Sequence, residues 1–226
     1  MASEIKIGDL FDLSKTIAAR LFDGLEAPWQ ALPLLTKFIL ELGETLPESA
    51  YERREGGIYI ARSAKIYPSA YLAGPLIIDE GAEVRHCAFI RGSAIVGKGA
   101  VVGNSTELKN CLLFDKVQVP HFNYVGDSIL GYKAHMGAGA ITSNVRSDKK
   151  KVLVHTAEGD IETGLKKFGA MLGDDVEVGC NTVLNPGAVL GRGVWVYPGS
   201  LVRGVVPAMH VVKDGGRIAM RRTEGD

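Results

Sequence analysis

Residues 60–114 read IARSAKIYPSAYLAGPLIIDEGAEVRHCAFIRGSAIVGKGAVVGNSTELKNCLLF. Within them Ile60, Ile66, Leu72, Ile78, Val84, Ile90, Val96, Val102, Leu108 and Phe114 fall at every sixth position. Four residues after most of these stands a small one: Ala64, Ala70, Ala82, Ala88, Ala94, Ala100 and Thr106. A helix repeats every 3.6 residues and a strand every two, so neither keeps such a series in register. A coil of three flat sides with six residues to a side does. The aliphatic residue of each side points inward and the small one fits the corner. Each coil lies about 4.8 Å above the last and satisfies its backbone hydrogen bonds. The pattern predicts an all-β fold, a left-handed parallel β-helix of hexapeptide repeats.

Beyond Phe114 the repeat slips. Phe114 to Val119 is five residues, Val119 to Val125 six and Val125 to Leu130 five, and Met136 restores six. Residues 145–168 break the pattern, with KVLVHT and IETGLKK flanking AEGD as a hairpin whose turn falls at Gly159 and Asp160. The period resumes at Leu172, Val178, Leu184, Leu190, Val196 and Val202. Val202 closes the solenoid on this reading, and a tail with Arg217, Arg221 and Arg222 begins at Pro207. Upstream, 9–24 and 27–43 carry apolar residues at helical spacing, among them Leu10, Leu13, Ile17 and Leu21, then Leu35, Phe38, Ile39 and Leu42. Pro28 suits a first helical turn and Gly43 a stop. Two such faces are too small to stand alone and are expected to pack on something else. The chain divides into a helical arm and charged linker (1–57), the solenoid with its insertion (58–207) and a tail (208–226).

The 26 basic and 26 acidic residues cancel, so no overall field draws the chain to nucleic acid or anionic lipid. No apolar run reaches the roughly 18 residues of a membrane span, and no charged segment with an apolar core opens the chain as an export signal would. Cys87, Cys111 and Cys180 are odd in number and widely spaced, which argues against a disulfide framework and fits a reducing, cytoplasmic setting.

The polar residues gather where the repeat slips. Arg91 and Lys109 are 18 apart, one full coil, so they stack on one face. Two like charges about 4.8 Å apart repel by about 1 kcal/mol in water, and a phosphate between them turns that cost into binding. Left alone, they are two solvated side chains. His121, with Tyr124 three residues on, is either a general base or a surface histidine. Asn144 either orients a reacting group or caps a turn. Lys149, Lys150 and Lys151 read as a solvated hairpin edge. Gamma-class carbonic anhydrases, whose β-helix trimers resemble this scaffold, hold metal between subunits with three histidines, two of them five residues apart. Five residues after His121 stands Gly126, and His86, His135 and His155 do not restore the motif, so no metal is expected.

VGNSTELKN, HFNYVGDSILG, GAGAITSN and LGDDVEVGCNTVLNPGAVLG resemble the C-terminal acetyltransferase domain of bifunctional N-acetylglucosamine-1-phosphate uridyltransferases. The insertion and the LGDD restart are closer still to the sugar-1-phosphate nucleotidyltransferase/amino-sugar acetyltransferase branch. The resemblance covers about residues 60–207 and implies a homotrimer that moves an acetyl group from acetyl-CoA to glucosamine 1-phosphate in the groove between subunits. Carried over by position, His121 is the base, and Tyr124 and Asn144 place the sugar and its amine. Arg91 and Lys109 hold the phosphate, with Lys150 or Lys167 as a further phosphate lysine. Ala138, Cys180 and Pro198 line the acetyl-CoA channel. The amine attacks the thioester directly, without an enzyme nucleophile. Two positions depart from the family: Cys180 stands where a serine is usual near the thioester, and Val145 where a tyrosine follows the asparagine. Residues 1–57 hold no Gly-rich phosphate loop, so nucleotidyl transfer is not expected. The rival reading is a non-catalytic trimeric β-helix that binds a sugar nucleotide or supports a separate nucleotidyltransferase.

Overall fold

The structure, a computed structural model, describes residues 5–221; Arg222 of the tail lies outside them. It is a left-handed parallel β-helix with three faces. On the first face Ile60, Ile78, Val96, Leu113, Leu130, Leu172, Leu190 and Val206 pair from coil to coil. On the second, the column runs through Ile66, Val84, Val102, Val119, Met136, Val178, Val196 and Val212. The third holds Leu72, Ile90, Leu108, Val125, Thr142, Leu184 and Val202. These columns fill the lumen, and apart from Ile66 and Leu72 in the first coil all their members are buried. Each buried aliphatic side chain contributes about 1.5–3 kcal/mol, which is why the six-residue period dominates the sequence.

The first slip lies one side earlier than the period implies. Leu113, five residues after Leu108, continues the first-face column, and Phe114 does not. Phe114 is nonetheless fully buried, its ring 5.1 Å from Phe11 and 6.1 Å from Phe22 of the N-terminal arm. Both shortened sides, Leu108 to Leu113 and Val125 to Leu130, cross the corner between the third face and the first. There the strands Glu107–Leu113 and Tyr124–Leu130 run through both faces without a break.

The helix expected over 9–24 does not form. One α-turn, Ile7–Leu10, is followed by 3-10 turns at Leu13–Lys15 and Ala19–Phe22. The Asp12 carboxylate accepts the Ser14 N–H at 3.0 Å and the Thr16 hydroxyl accepts the Ala18 N–H at 3.1 Å, so side chains take donors that a helix would use. The second segment is a 3-10 run, Pro28–Leu34, leading into the α-helix Leu35–Thr45. Gly43 is inside this helix rather than at its stop: a Cβ there would stand 2.1 Å from the Tyr59 ring. The arm lies over the first face and shares its core, through Phe11, Phe22, Trp29, Leu35 and Ile39. Asp174 fastens it, accepting the Asp12 N–H at 2.7 Å and the Tyr132 N–H at 2.8 Å.

Three boundaries differ from expectation. The linker contains a strand, Tyr51–Arg54, antiparallel to Ile58–Ala61. The insertion hairpin pairs Leu153–Thr156 with Gly159–Glu162, so its turn is Ala157–Glu158, just before the expected Gly159 and Asp160. The solenoid passes Val202 and Pro207: Val205–Val206 and His210–Val212 add sides, and Ile218–Met220 returns antiparallel. The arm covers the first face. Among the described residues the second and third faces are covered only near their C-terminal end, where Asp214–Gly216 packs by Leu201–Val202 and the Arg221 guanidinium lies 3.5 Å over the Trp195 ring.

Candidate functional site

At the corner from the second face to the third, one residue per coil stands in line. The Phe122 N–H donates to the Asn104 carbonyl at 2.8 Å, Gly139 to His121 at 3.0 Å, Asn181 to Ala138 at 2.8 Å and Gly199 to Cys180 at 2.8 Å. With the strand registers, this ladder stacks Asn104, His121, Ala138, Cys180 and Pro198 at steps of about 4.8 Å. His121 is therefore the rung beside Ala138. Gly137 and Gly179 let successive turns approach, since a Cβ on them would stand 2.7 Å from the Cys180 nitrogen and 2.4 Å from the Pro198 nitrogen. Buried Asn123 holds the corner from within. Its Oδ1 accepts the His121 N–H at 3.1 Å and its Nδ2 donates to the carbonyls of Gly137 and Ala140 at 2.8 and 3.0 Å. The His121 imidazole is exposed and has no hydrogen-bond partner among the described residues.

The next residues of the chain lead into a buried polar group centred on Asp127, which is 3% exposed. Its carboxylate accepts from Lys109 Nζ at 2.8 Å on both oxygens, from Asn110 Nδ2 at 2.8 Å on Oδ1, and from Asn144 Nδ2 at 2.5 Å on Oδ2. Asn144 Nδ2 also donates to the Tyr124 hydroxyl at 3.2 Å. Burial first, then the carboxylates of Asp127 and Glu107, raises the Tyr124 phenol above its ordinary pKa, so it stays protonated. Gly126 makes room for this hydroxyl, which a Cβ would approach to 2.4 Å.

Arg91 and Lys109 are in register on neighbouring coils, as their spacing predicts. Neither is an unpaired cation. Arg91 Nε donates to Glu107 at 2.6 Å, which raises the guanidinium's pKa further, and Lys109 is held by Asp127. Tyr124, Asn144 and Lys109 are thus brought together. Arg91 joins the neighbouring coil through Glu107, and His121 stands at the adjacent corner. Lys150 and Lys167 are exposed, and no hydrogen bond or ion pair among the described residues ties either to this group. Val145 lines a cleft of about 400 Å³ with Ser143, Arg146, Asp148, His155 and Arg203.

Asp127 and Glu107 were not picked out by sequence. A signal for Asp127 was present, since Asn110 and Asp127 sit at φ +48° and +47° in a corner where Gly92 and Gly187 stand at +93° and +82° in other coils. Asn and Asp are the side chains that best tolerate this region, and both fall in the two shortened sides. Among the described residues no group of three or more His, Cys, Asp or Glu could hold a metal ion, and no helix is long and apolar enough to cross a membrane.

Residues 72–193 match the family model described as GMPPB C-terminal domain. The chain is 38% identical over 101 residues to the bifunctional protein GlmU of Methanococcus aeolicus, covering 45% of this chain and 24% of that protein. It is 36% identical over 101 residues to the bifunctional sugar-1-phosphate nucleotidylyltransferase/acetyltransferase of Sulfurisphaera tokodaii, covering 45% and 25%. It thus spans about a quarter of the length of these curated relatives. Among solved structures, the polySia-specific acetyltransferase NeuO aligns at 15% identity and TM-score 0.43, covering 74% of this chain and 83% of that one. The acetyltransferase domain of PglB from Neisseria gonorrhoeae, in complex with acetyl coenzyme A, aligns at 18% identity and TM-score 0.35, covering 70% and 54%.

Proposed function

This chain belongs to the GMPPB C-terminal domain family, and on that footing we propose that it transfers the acetyl group of acetyl-CoA to the amine of an amino-sugar phosphate of the glucosamine 1-phosphate type. The observation that carries the reading is a junction. The His121–Ala138–Cys180–Pro198 line and the Tyr124–Asn144–Asp127–Lys109 group meet within residues 121–124. A thioester laid along the first would meet an amine held by the second beside the His121 imidazole.

The step is direct acyl transfer. The amine lone pair attacks the thioester carbonyl, His121 takes the amine proton, and the tetrahedral oxyanion collapses with loss of coenzyme A thiolate. The sugar phosphate lies toward Arg91 and Lys109, exchanging against Glu107 at Arg91 and taking the Lys109 N–H not directed at Asp127, with exposed Lys150 or Lys167 available as a further partner. Cys180 takes the serine position near the thioester. No metal takes part. The second and third faces belong to a homotrimer in which a neighbouring copy supplies the other wall of the groove.

The test mixes the protein with acetyl-CoA and glucosamine 1-phosphate and detects the N-acetylated sugar phosphate by mass spectrometry. Product from the wild type and almost none from a folded His121→Ala variant is expected. Product from both removes His121 as the base, and product from neither across several amino sugars removes the reaction. Sedimentation at the mass of one chain would remove the trimer. One observation favours a second reading, a trimer that binds a sugar nucleotide without catalysis: among the described residues no second side chain orients the His121 imidazole. Coenzyme A retained through purification supports the first reading, and a retained sugar nucleotide the second.

A further inference from the structure

Asp127 gathers donors from three other positions of the solenoid, and two of them, Lys109 and Asn144, are the residues assigned above to the acceptor sugar. Its place in the backbone accounts for a residue that tolerates positive φ, and Asn or Gly would satisfy that. It does not account for a buried carboxylate. A buried carboxylate is retained only when its oxygens are paired and hydrogen-bonded, and here both oxygens are.

The consequence falls on Asn144. An amide nitrogen has two hydrogens, and both are committed, one to Asp127 Oδ2 and one to the Tyr124 hydroxyl. The reverse amide orientation would set Asn144 Oδ1 against a carboxylate oxygen, so Asp127 fixes which end of the amide turns inward. What Asn144 has left is its carbonyl oxygen, an acceptor. The Tyr124 oxygen already accepts, so its O–H is left to donate. Lys109 keeps one N–H beyond the two directed at Asp127.

We infer that Asp127 is a positioning residue that sets the direction of hydrogen bonding at the acceptor site. Through it, Asn144 presents only an acceptor, fitted to the N–H of a substrate amine, while Tyr124 and Lys109 present donors to hydroxyl or phosphate oxygens. The inference rests on the acetyl-acceptor reading of this site and adds the specificity: an amine on the Asn144 side and an anion on the Lys109 side.

The test pairs Asp127→Asn with Asn144→Asp and the double exchange D127N/N144D. Each single variant disturbs the polarity, the first by releasing the amide and Lys109, the second by setting two carboxylates against each other. Hydrogen bonds to charged groups of this kind correspond to about tenfold or more in affinity. Each single variant should raise the KM for glucosamine 1-phosphate by about that factor, with the KM for acetyl-CoA within about twofold. The double exchange restores one donor facing one carboxylate and should recover part of the loss. An unchanged sugar KM in Asp127→Asn, a parallel rise of both KM values at an unchanged melting temperature, or a double exchange no better than the singles overturns the inference. Calorimetric titration of glucosamine 1-phosphate without acetyl-CoA separates it from the activity. If the wild type binds the sugar phosphate but does not acetylate it, the reaction falls, and the Kd of Asp127→Asn decides the inference. If the wild type binds none, both fall.

Discussion

Replacing Gly126 with alanine tests how the Tyr124 hydroxyl is placed. The added Cβ would lie 2.4 Å from the Tyr124 oxygen and 2.6 Å from its Cζ, where ordinary contact begins at 3.4 Å. The ring must therefore move by roughly 1 Å, because a buried Cβ on a paired strand cannot. That displacement carries the hydroxyl away from Asn144 Nδ2, from which it is now 3.2 Å distant. Loss of one neutral hydrogen bond corresponds to about 0.5–1.5 kcal/mol, or about two- to tenfold in the KM for glucosamine 1-phosphate. Gly126 is not at positive φ, so the alanine backbone is unstrained. The assay is the initial rate of thiol release from acetyl-CoA at varied sugar phosphate, with thermal melting alongside. The decisive comparison is made in a Tyr124→Phe background, where the bond is already absent. There Gly126→Ala should add almost nothing to the KM. An unchanged KM in the single variant, or fully additive effects in the double, would refute the placement of the hydroxyl by Gly126.

Two further expectations concern the scaffold. Phe114→Ala should cost about 3–5 kcal/mol in urea unfolding and loosen the arm it packs against, seen as faster proteolysis within residues 5–46; cleavage no faster than in the wild type would refute the assignment of Phe114 to the arm rather than the lumen. Burial pushes the Cys111 thiol up to about 12, whereas Cys87 and Cys180 are exposed. Aromatic disulfide reagents near pH 8 should modify two thiols per native chain and three after denaturation, and acetyl-CoA should shield Cys180 but not Cys87. The folded chain holds the Cys111 proton more tightly than the unfolded chain does. The associated stability is complete below the ordinary thiol pKa of 9.0 and is lost as pH rises from there toward 12. A third native thiol reacting at pH 8 would show that Cys111 is not sealed.

The six-residue period by itself determined the solenoid, because every side of every coil must bury one aliphatic residue against the same lumen. It also determined that Arg91 and Lys109 stack, since one full coil separates them. It could not locate the slip. Phe114 satisfies the count as well as Leu113 does, and only the arm folded across the first face shows that Phe114 is buried from outside. The 9–24 segment has helical spacing because it covers a surface, yet Asp12 and Thr16 take the backbone donors that a helix would need. Both cations of the site looked unpaired in sequence, because Glu107 and Asp127 lie 16 and 18 residues from their partners and meet them only when the coils stack. The hexapeptide rhythm fixes which residues face inward, a local property of one side. Which outward side chains pair, and so which end of the Asn144 amide meets a substrate, depends on corner shortenings and stacked coils, and these exist only in the folded chain.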